Sequence, residues 1–132
     1  MIRTLLIIPI AIIAALGAGY AMCAASHRDP HIREMLFAAG ACLIASALAS
    51  APMILTRGAS QPAVAQAGLV ATMVHLFGCA ALVGGPMVFF KSLQLDAALV
   101  YWVLPLYWLS LIVLVIAIVK AIRSAPVATT PK

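Results

Sequence analysis

One histidine, His75, stands inside a long uncharged stretch, with Cys79 four residues further on. On a helix that spacing puts an imidazole nitrogen and a thiol one turn apart on a single face. Nitrogen and sulfur at that spacing suit a haem or a soft metal ion. An imidazole in hydrocarbon also suits a proton relay or a hydrogen bond to a quinone. The third reading is a neutral histidine bonded across a helix interface. No second histidine lies within a span to complete a bis-histidine haem site. The expectation is therefore no resident cofactor, with haem held by His75 as the alternative.

The remaining candidates are weaker. His27 and His31 stand four apart with Asp29 and Glu34 nearby, a set that matches zinc only if both imidazoles share one helix. Pro30 suits the first position of a helix that starts between them, which breaks that geometry. Ser46, Ser50 and Ser110 have no base beside them in the sequence, and no glycine-rich phosphate loop or triad spacing occurs. The chain is expected not to be an enzyme. Cys23, Cys42 and Cys79 lie in different apolar stretches and form no C-x-x-C pair. Such a set argues against a disulfide framework and fits small polarizable packing residues.

The elements that position these groups follow from where charge is missing. Of 132 residues, 66% are hydrophobic and 8% charged, far from the balance of a water-soluble domain. Residues 4–27, 35–56, 58–90 and 97–119 contain no Asp, Glu, Lys or Arg. Each exceeds the roughly 20 apolar residues a helix needs to cross a bilayer. The fold class is all-α: a polytopic membrane protein forming a single four-helix transmembrane domain over 1–132. The expected spans are about 4–25, 33–55, 63–90 and 97–119, followed by a mobile tail over 124–132. The apolar run that follows Met1, Ile2 and Arg3 is longer than a secretory signal core, so it reads as a retained first helix.

Basic residues distribute unevenly between the two ends of such a bundle. The end with both termini carries Arg3, Arg57, Lys120, Arg123 and Lys132 and no acid. The other carries Arg28, Arg33 and Lys91 together with Asp29, Glu34 and Asp96. Five Lys and Arg against three put both termini in the cytoplasm of a bacterial inner membrane. The net charge of +5 is scattered over helix ends and faces lipid headgroups, not nucleic acid.

Within the spans, small residues mark packing faces. Ala41, Ala45 and Ala49 recur every fourth residue, and helices in lipid associate through close backbone approach over such stripes. At about 100° per residue, Gly68, Ala71, Gly78 and Cys79 share the face of His75, opposite Leu69, Val70, Met73 and Phe77. Both small-residue faces are expected to dock on helices of a partner or of a second copy. Asp29 is placed to cap the second helix. Gly84, Gly85 and Pro86 are placed to weaken or kink the third. Tyr101 and Trp102 are expected to anchor the fourth helix at the headgroup boundary.

The run Ala-Gly-Leu-Val-Ala-Thr-Met-Val-His ending at His75, and Ala-Leu-Val-Tyr-Trp-Val-Leu-Pro-Leu-Tyr-Trp-Leu ending at Leu109, resemble divergent bacterial forms of ATP synthase subunit I. Length, span number and the basic C-terminal end are similar too, and the resemblance covers residues 66–124. It implies a helper in assembling the rotor c-ring of F-type ATP synthase, with a part in magnesium supply. Members of that family often carry a charged residue in the third helix. Here only Thr72 and His75 are polar at that place, a departure from the family pattern. Beside this accessory role stand two others. One is a haem- or quinone-associated anchor subunit of a respiratory complex. The other is a small channel or carrier, which the absence of charge from every mid-span disfavours.

Overall fold

The computed structural model describes residues 2–29, 31–89 and 97–127, with side chains from residue 7 onward. It contains four helices: α1 (Ile2–Ala25), α2 (Ile32–Leu55), α3 (Gln61–Phe89) and α4 (Ala98–Ser124). All four are long and apolar enough to cross a membrane. With no water in the hydrocarbon core, a helix is the one open-chain conformation that pairs its own backbone groups. That constraint explains why the chain carries Pro9, Pro52, Pro86 and Pro105 inside helices without interruption. The weakening expected at Gly84, Gly85 and Pro86 does not end α3, which continues to Phe89.

Two helix ends differ from expectation. The α2 N-cap is His31, in a left-handed conformation (φ 45°, ψ 60°) and without a side-chain cap bond. Asp29 Oδ1 instead accepts the His31 backbone N–H at 3.1 Å, closing a local turn before the helix begins. The expected role of Pro30 lies outside the described residues. At the other end, α4 passes the expected limit at 119 and runs on through Lys120 and Arg123. The hydrocarbon boundary stops the apolar run but not the helix, and cations suit the negative end of its dipole. The start of the expected mobile tail is tied down, since Pro126 accepts the Gln61 backbone N–H at 3.1 Å. Residues 128–132 lie outside the described set.

α2 and α4 meet across the middle of the bundle and each also touches α1 and α3, while α1 and α3 do not meet among the described residues. The cross-section is therefore a rhombus with α1 and α3 at its far corners. Its core has two parts. Ile8, Ile12, Ala38, Cys42, Ala45, Cys79, Leu99 and Leu106 join all four helices. Ala49, Met53, Val64, Ala67, Ala71 and Leu114 join α2, α3 and α4 alone.

The small stripe of α2 is consumed within this core. Ala38, Ala45 and Ala49 are wholly buried and Ala41 nearly so. Where α2 meets α3, a Cβ added at Gly78 would lie 3.4 Å from the Ala45 Cβ. On α3, Gly68 makes room for Ile118 of α4, whose Cγ2 would be 2.5 Å from an added Cβ. The expectation that these stripes dock on a partner is corrected: helices of the same chain occupy them. The physical reason is that four spans with short joints are already at high local concentration, so the smoothest faces pair internally first.

Replacing Ala45 by Leu overpacks this crossing and is expected to cost about 1–3 kcal/mol. The same change at Ala47, which is exposed, is expected to be nearly neutral. Reversible unfolding in mixed micelles measures the difference, and equal stabilities would show that the crossing is not tight.

Candidate functional site

The polar centre of the bundle is built by three helices. α3 delivers His75, fully buried, on the same face as Gly68, Ala71 and Cys79. Leu69, Val70, Met73 and Phe77 point outward, as the helical period requires. α4 delivers Ser110, 1% exposed, whose Oγ lies 3.0 Å from His75 Nε2. Ser110 Oγ also donates to the Tyr107 carbonyl of its own helix at 2.9 Å. α2 closes the site with Ala45.

A serine hydroxyl has one proton. With that proton on the Tyr107 carbonyl, the Ser110 oxygen accepts from His75 Nε2–H, and Nδ1 is left as a bare lone pair. Nδ1 is buried with no hydrogen-bond partner, although the Ala45 carbonyl faces the ring. Exchanging both protons gives the complementary arrangement, in which Ser110 donates to Nε2 and Nδ1–H turns toward Ala45. The Tyr107 ring stacks on the imidazole with centroids 5.4 Å apart and planes 10° from parallel. Trp108 meets Tyr107 edge-on at 6.4 Å and 75°.

This geometry joins helices. Nε2 is occupied by Ser110, one ring face is covered by Tyr107, and Nδ1 is buried without a hydrogen-bond partner. A haem iron or a quinone head would have to displace Ser110 to reach Nε2. Cys79, one turn from His75, is instead packed in the same buried cluster as Cys42 of α2. Both thiols are free and buried, so two cysteines that lie 37 positions apart in a dispersed set (79 − 42) share one cluster. No group of three or more His, Cys, Asp or Glu positioned to hold a metal ion occurs among the described residues. His27 and His31 sit in the joint, both with positive φ (52° and 45°), and do not share a helix.

The remaining candidates divide. Ala41, Ala45, Ala49, Gly68 and Ala71 are all buried, and half-buried Gly78 lies against Ala45. Tyr101 is 78% exposed at the end where α4 begins, the position of an anchor. Trp102 is turned inward: an added Cβ on Gly19 would lie 2.6 Å from its indole. It therefore packs α4 onto α1 more than it marks depth.

Sequence reasoning missed the Ser110–His75 pair. The available signal was solitude: Ser110 is the one polar side chain between Leu109 and Val119, and His75 the one imidazole within a span. Isolated polar groups in hydrocarbon pair with each other because nothing else is there to bond.

No protein-family model, curated protein or solved structure matches the chain.

Ser110→Ala leaves Nε2 unpaired and is expected to destabilise the bundle by about 0.6–1.7 kcal/mol, the span of interhelical hydrogen bonds in membranes. A double-mutant cycle with His75→Phe measures the coupling, and zero coupling would remove the bond from the structure's support. A maleimide is expected to label half-buried Cys23 in the folded state, and Cys42 and Cys79 only after denaturation, as read by mass shift.

Proposed function

We propose that this chain is a non-enzymatic accessory protein of a bacterial energy-transducing membrane. It works by lateral helix docking, and assembly of the F-type ATP synthase c-ring is the process that fits best. Both termini lie in the cytoplasm of the inner membrane. The observation that carries this reading is the outward surface of α1. Only 11% of its most apolar stretch is buried, against 44% for α2. Ala14, Gly17, Ala18 and Ala21 all lie on the exposed side, and nothing stands within 4 Å of a Cβ placed on Gly17.

Those four residues follow a three- and four-residue rhythm, the smooth surface over which two helix backbones approach in lipid. The equivalent stripes of α2 and α3 are filled by the chain's own helices, so α1 is the face left to offer. A c-subunit is an apolar helical hairpin, and an unringed hairpin needs temporary cover of the same kind. The mid-spans carry no Asp, Glu, Lys or Arg, which supports a holder more than a carrier of ions. The enclosed position of His75 favours a structural role over that of a redox anchor.

Pull-down of the tagged chain from its native membrane in mild detergent tests this. ATP synthase c-subunits or assembly intermediates are expected among the recovered proteins. Gly17→Leu together with Ala18→Leu is expected to reduce their recovery several-fold without altering the melting temperature. Cytochromes in their place would overturn the reading in favour of a redox anchor. Recovery of the chain alone, or only of second copies, would overturn the accessory role.

A further inference from the structure

We propose that the end of the bundle where α2 and α4 finish is a binding site for the phosphate headgroup of an anionic phospholipid. This rests on the four spans crossing a membrane and not on the assembly role. A cavity of about 440 Å³ opens there between α2, α3 and α4. Arg57, in the joint after α2, and Lys120, near the end of α4, stand on its wall with Thr56 beside them. Met53, Val64 and Ala121 line its apolar part.

Three observations narrow the occupant. First, no carboxylate lines the cavity, and no side-chain hydrogen bond or ion pair joins Arg57 or Lys120 to another described residue. Two cations around one space repel each other, and an anion between them removes that cost. Secondly, the cavity is a built feature. Gln61, which opens α3, gives its backbone N–H to Pro126 and its Nε2 to the Ile122 carbonyl at 3.4 Å. These bonds hold the start of α3 against the end of α4 and keep the wall in place. Thirdly, the lining is amphipathic, with Arg57, Lys120 and Thr56 beside the apolar Met53, Val64 and Ala117. A free anion would use only the polar part. Basic pockets between helix ends are the usual form of anionic headgroup recognition.

The larger groove at the opposite end shows the contrast. It measures about 600 Å³ and is lined by Arg28 together with Asp29, His31 and Trp102. Its cation has a carboxylate beside it on the same rim, so an anion gains less there.

Native mass spectrometry of the full chain, released from nanodiscs of equal phosphatidylglycerol and phosphatidylcholine, tests the site. One phosphatidylglycerol is expected to be retained in preference to phosphatidylcholine. With about a fivefold gain per basic side chain, the preference is on the order of thirtyfold. Arg57→Gln with Lys120→Gln is expected to abolish it, and Arg28→Gln with Arg33→Gln to leave it unchanged. Ala121→Phe fills the cavity with both charges intact and is expected to expel the lipid, which keeps the test valid if the double glutamine variant fails to fold. Equal retention by the cavity variants and the wild type would overturn the site. So would an equal loss from the variants at the opposite end, which marks general surface charge. Displacement of the lipid by millimolar inorganic phosphate would overturn the lipid as occupant and leave free phosphate as the ligand.

Discussion

The close approach of α2 to α3 over Ala45 and Gly78 is the contact on which the rest depends. Lipid offers no hydrophobic reward for pressing two apolar helices together, so the gain must come from dispersion at short range. Small side chains set that range, and three consequences follow from it. The His75 ring is carried into contact with Ser110 and Tyr107. Cys42 and Cys79 come together in one buried cluster. The crossing also leaves α4 near enough to α2 for the two to touch across the bundle. A wider spacing would open the centre and expose the imidazole to whatever could enter.

The polar centre is accordingly a fastening. The Ser110 hydroxyl bridges the Tyr107 carbonyl and the imidazole, and the imidazole in turn fixes how α3 is rotated against α4. Specific polar contacts of this kind contribute little net energy in a bilayer. Their larger effect is on register, because a slide of one turn would leave two polar groups unpaired in hydrocarbon.

Much of the fold was legible because charge is so costly in a bilayer that its absence outlines each span. The four helices fall within a few residues of the gaps between charges, apart from the extended end of α4. The buried face of α3 was legible too, from Gly68, Ala71, His75 and Cys79 against Leu69, Val70, Met73 and Phe77. Helical period relates residues within one helix and says nothing about which helix lies opposite. That is why Ser110 was not joined to His75, nor Cys42 to Cys79, and why the stripe of Ala41, Ala45 and Ala49 was recognised as a packing face without its occupant. Asp29 was read as a helix cap because capping and turn-forming aspartates use the same atoms. They differ only in a backbone conformation that depends on the next few residues.

The two-part core carries a consequence for synthesis of the chain. α1 is made before α2 and α3, yet its most extensive neighbour is α4, which is made after both. About 70 residues separate them, and translation at roughly 5–20 residues per second makes that an interval of several seconds. During it α2 and α3 can already close over Ala49, Val64, Ala67 and Ala71, a cluster that contains no residue of α1. The first span therefore spends its early life in the bilayer with α2 as its one partner among these helices, through Ile8 and Ile12. Its larger contact forms only when Trp102 arrives to settle against Gly19.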